Sequence, residues 1–144
     1  MATNFPTSVD TLVNPTPTDS LNAPAHSTQH TNANDAIEAM QAYLLNPFTV
    51  LANGTTAIAF ATNFNVQVTP TATATFTTTV PAAGIKVHLI ILTSGATSYT
   101  ITFGTGFRTT GTLATGTTTA RYFVLSFISD GTTLTEFSRT TAMA

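Results

Sequence analysis

His26 and His30 stand four positions apart, the spacing that places two side chains on one face of a helix. Such a pair can ligate a divalent metal, and in a three-fold assembly three pairs would converge on the axis. No carboxylate or cysteine completes the set, and polar residues setting the register at the wet end of a coiled coil account for the pair without a metal. No metal and no cofactor are expected. His88 lies inside an apolar run and reads as a hydrogen-bonded structural histidine. Asp130 and Glu136 can be set down as a carboxylate pair, yet Asp130 is better explained as the first residue of an Asp130-Gly131 turn. Neither carboxylate belongs to a triad-like motif, and no GxSxG elbow occurs. With 35 threonines in the chain, no single hydroxyl stands out as a nucleophile, and the expectation is a protein that is not an enzyme.

Two short motifs have plainer readings than their chemistry suggests. Gly104-Thr105-Gly106 has two glycines of a phosphate loop but lacks the third and any following helix signal, so it reads as a hairpin turn. Asn53-Gly54-Thr55 matches a glycosylation sequon, but the opening Met-Ala-Thr-Asn-Phe-Pro lacks the basic and apolar regions of a secretory signal. A turn at Asn53-Gly54 and assembly in the cytoplasm are expected. Thr71, Thr73, Thr75 and Thr77 alternate, which would give the flat hydroxyl and methyl surface that ice-binding proteins use. Those proteins repeat the motif at a fixed period on a solenoid, and no period persists here. A strand whose β-branched residues suit a pleated surface is the simpler reading.

The elements that would hold these residues follow from composition and pattern. The chain has 144 residues, of which 42% are hydrophobic and 7% charged, against about 25% charged in ordinary soluble domains. That hydrophobic content argues against disorder across the chain. One lysine, three arginines and no basic cluster argue against a nucleic-acid partner. No apolar run approaches the ~18 residues of a membrane-spanning helix, so no membrane partner is expected. Cysteine is absent, which removes any disulfide framework. Asp10, Asp19, Asp35 and Glu38 lie early in the chain and Lys86, Arg108, Arg121 and Arg139 late, with 47 residues from Ala39 to Ile85 carrying no charge. A surface so poor in charge is badly suited to a free monomer and points to contacts with copies of itself or a larger assembly.

Three regions are read along the chain. Residues 1–24 form an extended anchoring arm, punctuated by Pro6, Pro15, Pro17 and Pro24, with Phe5, Val9, Leu12, Val13 and Leu21 as its apolar contacts. Residues 25–46 hold a helix beginning anywhere from His26 to Ala33, with Asn32 and Asp35 approximating a capping box, Asp35 and Glu38 favouring the positive end of the dipole, and Asn46-Pro47 as the stop. Its apolar positions Ala33, Ile37, Met40 and Leu44 are spaced 4, 3 and 4, a coiled-coil seam that extends back to His30 and His26. Residues 47–144 read as β. Ile58, Phe60, Phe64, Val66 and Val68 fall on alternate positions of a single run that Pro70 ends. Lys86–Thr93 and Arg121–Ser129 are apolar on both faces and read as central strands, and Asp130-Gly131 turns the second into a hairpin with Thr132–Arg139. The fold class is mainly β: an arm, one short α-helix, then an antiparallel β-sandwich or barrel.

The segment Phe5–Met40 resembles the N-terminal region shared by many tailed-bacteriophage virion proteins. The matching elements are the FPTSVDT opening, the NPTPTDSLN stretch, His26, Gln29-His30 and Asn34-Asp35-Ala36-Ile37-Glu38. In that group the segment precedes a β-rich region in tail fibres, head fibres and capsid decoration proteins. The later stretches IILTSGATSYTITFGTGFRTTGTL and RYFVLSFISDGTTLTEFSRT look like the small β-sandwich modules that end many phage appendage proteins. Those modules often carry an aromatic residue soon after the Asp-Gly-Thr turn, where this chain has Leu134, and the chain has no tryptophan for stacking on a sugar. The resemblance implies a virion structural protein; with the helix seam a homotrimer is expected, assembled in the host cytoplasm. A capsid decoration or cement protein bound to the major capsid protein, or to another virion protein, is the expectation. A small tail fibre, head fibre or receptor-binding tip that touches a host surface is the alternative.

Overall fold

The computed structural model describes residues 26–45 and 48–144, with side chains in the helix described for residues 30, 31 and 33–40. The proposed arm, with Phe5, Pro6, Val9, Leu12, Val13, Pro15 and Leu21, lies outside the described residues. The chain divides into two units, Met1–Asn46 and Pro47–Ala144, each taken by itself below.

In the first unit α1 spans His26–Leu45. It starts two residues after Pro24, whose ring cannot continue a helix backwards, and stops short of Asn46-Pro47. Asn32 and Asp35 therefore lie well inside the helix rather than at its start, and the first turn carries no acidic residue. The expected capping box and dipole partners are displaced because the helix takes the earliest start the sequence permits.

The second unit is mainly β, but it is a solenoid of about three turns rather than an antiparallel sandwich or barrel. Turn one places β1 (Phe48–Val50) and β2 (Ala57–Ala59), turn two β3 (Asn65–Val68) and β4 (Ala74–Thr79), and turn three β5 (Lys86–Leu92) and β6 (Thr100–Phe103). β1, β3 and β5 stack in parallel in one sheet, and β2, β4 and β6 in parallel in the other. Four later strands close the third turn: β7 (Phe107–Arg108), β8 (Leu113–Ala114), β9 (Tyr122–Ser129) and β10 (Leu134–Arg139). β9 runs antiparallel along the whole of β5, from Lys86↔Ile128 to Leu92↔Tyr122, and β8 runs antiparallel to β6. β10 forms the expected hairpin with β9 and lies parallel to β7. The resulting strand orders are β1-β3-β5-β9-β10-β7 and β2-β4-β6-β8.

The core lies between the two sheets. Val66 and Val68 of β3, Val87, Leu89 and Ile91 of β5, and Phe123, Leu125 and Phe127 of β9 point inward from the larger sheet. Ile58, Phe76, Ile101 and Leu113 meet them from the smaller sheet. Phe103, Phe107 and Phe127 form an aromatic cluster of edge-on and tilted rings with centroids 5.4–6.5 Å apart, extended edge-on by Phe60 and Phe76. The alternating run from Ile58 to Val68 is buried at every expected position, but it is two strands in two sheets, β2 and β3. A corner at Phe60–Asn63 carries the chain across, and Thr49 Oγ1 pins it by donating to Asn63 Oδ1 at 3.0 Å.

Asp130 holds the β9–β10 turn. The backbone N–H groups of Thr133 and Thr132 donate to its Oδ1 at 2.6 and 2.8 Å, and the hydroxyls of the same residues donate to its two carboxylate oxygens. These bonds, the Thr133 N–H first, hold the carboxyl well below the usual carboxylate range. The ionised form then stabilises the fold above its unfolded pKa of about 3.9, and this stabilisation is lost as pH falls from there through the lowered folded value. Asp130→Asn is expected to lower the thermal midpoint at neutral pH, with the gap to wild type narrowing progressively below about pH 4. Parallel melting curves across that range check this, and a gap independent of pH would contradict it.

Candidate interaction surfaces

Three surfaces bear on what the chain can do. The first is the helix. Ile37 and Met40 are 48% and 46% exposed, and Ala33 is exposed as well. These are three of the four expected seam positions, and the structure leaves them open to a partner. Leu44 and His26 lie within α1, but their side chains are outside the described set. His30 is exposed and engaged in an interaction of its own. Among the described residues no three His, Cys, Asp or Glu side chains come together in a metal-binding group.

The second surface is the outer face of the four-stranded sheet. Thr75 of β4 stands opposite Thr102 of β6, and Thr77 and Thr79 stand opposite Ala57 and Ala59 of β2. A shallow groove of about 180 Å³ runs between β2 and β4, lined by Ala57, Ala59, Thr77 and Thr79 with Ile58 and Thr78. The face is uncharged and built of small side chains. Hydroxyls lie side by side only between β4 and β6, because β2 contributes Ala57 and Ala59, and β8 contributes Ala114 opposite Thr100. The regular lattice of an ice-binding surface is therefore interrupted at both margins, although the solenoid that such proteins use is present. Thr71 and Thr73 fall in the bend that precedes β4 rather than in the strand.

The third surface is the outer face of the six-stranded sheet. Lys86–Leu92 and Tyr122–Ser129 carry apolar residues on both of their faces. They are central strands, as expected, but only alternate residues are buried. Ile90, Leu92, Tyr122, Val124 and Ile128 point the other way, and the exposed Phe48 and Val50 of β1 continue the same face. His88 lies on this face, with its Nδ1 3.0 Å from Ser126 Oγ on the neighbouring strand, which gives the structural pairing expected of it.

The remaining candidate groups serve the fold. Glu136 is buried, with its side chain 3% exposed, and forms a two-pronged pair with Arg139 at 2.7 and 2.8 Å. Its Oε2 also accepts the Thr110 N–H at 3.2 Å, while Arg139 donates to the carbonyls of Thr112 and Gly111 and stacks 5.4 Å above the Phe103 ring. The pair clamps the loop at 109–112 onto β10. Asp130 and Glu136 are thus engaged separately and share no site. Asn53-Gly54 forms the expected turn, with the Thr55 N–H donating to the Ala52 carbonyl at 3.1 Å. Among the described residues no helix is long and apolar enough to cross a membrane. Comparison with protein families, with curated proteins and with solved structures gives no match.

Proposed function

We propose that this chain is a non-enzymatic structural protein of a bacteriophage virion, which associates as a homotrimer through α1 and decorates and stabilises the assembled head. The observation that carries the proposal is the exposed apolar stripe of Ala33, Ile37 and Met40 on a helix whose sequence resembles the virion-protein segment. A 20-residue helix is marginal in water by itself and draws its stability from packing, so a stripe left open calls for a partner. The stripe has coiled-coil spacing, which suits a copy of the same helix. The engagement of Asp130 and Glu136 in turn and loop contacts supports a structural rather than a catalytic role.

Decoration works by linkage. A protein that binds only the assembled shell raises its stability by mass action, and a trimer carrying three arms adds avidity. The arm at residues 1–24 is the anchor in this reading. Co-sedimentation with particles of the encoding phage tests it: the full chain is expected to pellet with the particles, and a chain lacking residues 1–24 to stay in solution at unchanged oligomeric mass. Retained binding by the shortened chain would remove the arm from the account. A fibre or receptor-binding tip is the second reading, favoured by the exposed Tyr122 and Phe137 at the closing end of the solenoid.

A further inference from the structure

We infer that Asn53 is a self-modification site, deamidated by the neighbouring Gly54 nitrogen when the first coil of the solenoid opens and protected while that coil is closed. The chain holds two Asx-Gly pairs, Asn53-Gly54 and Asp130-Gly131, the sequence in which the following backbone nitrogen meets least hindrance in attacking the side chain. The fold treats the two pairs differently. At the second, the Asp130 carboxylate accepts the N–H groups of Thr132 and Thr133 at 2.8 and 2.6 Å and the hydroxyls of both. These bonds keep it ionised, and a carboxylate anion is a poor electrophile. The Gly131 N–H is engaged as well, donating to Ser129 Oγ at 2.9 Å. At the first pair, Asn53 is exposed and carries a neutral amide, so the electrophile is in place. The restraint there falls on the nucleophile: the Gly54 N–H donates to the Thr69 carbonyl at 2.9 Å.

That restraint belongs to the stacking of the solenoid rather than to the turn itself. Asn53 and Gly54 are the central residues of a turn closed by the Thr55 N–H on the Ala52 carbonyl at 3.1 Å, with Gly54 at φ +80° as a type II turn requires. Thr69 lies in the next coil. The Gly54–Thr69 bond is flanked by two more between the same coils, Leu51 N–H to the Gln67 carbonyl and Thr77 N–H to the Thr56 carbonyl, both at 2.9 Å. The first coil is terminal, because β1 is the edge strand of one sheet and β2 of the other. A coil stacked on one side opens at lower free energy than the interior. On opening, the Gly54 nitrogen bonds to Asn53 Cγ, its proton passing through solvent base to the leaving amide nitrogen. The Cγ–Nδ2 bond breaks, ammonia departs and a succinimide ring closes. Water then opens either carbonyl of the ring to give aspartate or isoaspartate, one water consumed for each ammonia released. Either product puts a carboxylate into the stretch from Ala39 to Ile85, which otherwise carries no charge. The isoaspartyl form also adds a carbon to the backbone of the turn, so the change runs one way.

The test incubates the full chain in mildly alkaline buffer, folded and in concentrated guanidinium chloride, and places each deamidated asparagine by peptide mapping with fragmentation. In the denatured chain Asn53 is expected to react faster than Asn63 or Asn65. In the folded chain its rate is expected to fall by at least about tenfold, the factor given by an opening cost of about 1.4 kcal/mol. Low guanidinium concentrations at which circular dichroism still reports the folded state are expected to speed Asn53 deamidation and hydrogen exchange of the Gly54 amide in proportion. Equal rates in the folded and denatured chain would overturn the protection. A denatured chain in which Asn53 reacts no faster than Asn63 and Asn65 would overturn the site. A folded-state rate that does not follow exchange of the Gly54 amide would overturn opening of the first coil as the gate.

Discussion

Replacing Ile37 and Met40 together with aspartate is expected to reduce the sedimenting mass from the three chains of the proposed trimer to the single-chain value of 15.0 kDa. Burial of an Ile or Met side chain against a partner contributes about 1.5–3 kcal/mol. Two such residues on each of three chains make a large share of any association energy, and each tenfold change in affinity needs only about 1.4 kcal/mol. The aspartates also place charges in an apolar seam, where an unpaired carboxylate is strongly disfavoured. A loss of affinity of more than about a thousandfold follows, enough to dissociate the complex at micromolar concentration. Helical circular dichroism should fall with it, because α1 is marginal without a partner. An unchanged mass in analytical ultracentrifugation would remove the seam from the account.

The largest effect on the fold itself is expected at Gly106. Its φ is +88°, in the left-handed region, and a Cβ placed there would lie 2.8 Å from the Thr78 carbonyl oxygen and 2.6 Å from Thr78 Cγ2. Close approach is required because the loop extends the β4–β6 pairing: the Gly104 N–H donates to the Phe76 carbonyl at 2.8 Å, and the Thr78 N–H to the Thr105 carbonyl at 3.1 Å. From the other side the Leu134 N–H donates to the Gly106 carbonyl at 2.8 Å, so the residue ties the smaller sheet to the start of β10. Gly106→Ala combines a left-handed backbone penalty of about 1–2 kcal/mol with overpacking of about 1–3 kcal/mol. Gly95 is the matched control, with φ +76° and nothing within 4 Å of an added Cβ, so Gly95→Ala incurs the backbone penalty alone. Chemical denaturation should rank the variants wild type, Gly95→Ala, then Gly106→Ala. Equal midpoints for the two variants would show that the approach to Thr78 does not matter.

Inward and outward alternation was legible in the sequence where burial is one-sided. Ile58, Phe60, Phe64, Val66 and Val68 were placed inward and are buried, Lys86–Leu92 is a central strand, and Asp130-Gly131 turns the hairpin. The sheet to which each strand belongs was not legible, because period-two alternation looks the same in a hairpin and in a solenoid corner. The solenoid repeat was hidden by unequal turns. Phe48 and its partner Asn65 are 17 positions apart, Ala57 and Thr77 are 20, Asn65 and His88 are 23, and Ala74 and Ile101 are 27. A repeat search needs a constant period, and stacking of strands needs only that each turn close, so loops of different length leave the fold intact and the sequence pattern blurred. The apolar outer face was missed for a related reason. KVHLIILT and RYFVLSFIS are apolar on both faces and form central strands as expected, but a pattern apolar on both faces does not say which face is covered, and one side of each faces outward. The helix starts at His26, the early limit of the range expected, so Asn32 and Asp35 lie inside it and do not act as caps.

A head-decoration role is decided by where the protein resides. If the chain is a virion protein as proposed, particles of the phage that encodes it, labelled with an antibody to residues 47–144 and imaged by electron microscopy, give the most direct test. The prediction is label distributed over the head surface of intact particles, with the chain detected in their protein composition. Particles that lack the chain altogether would contradict a virion role, and label confined to the tail would contradict decoration of the head.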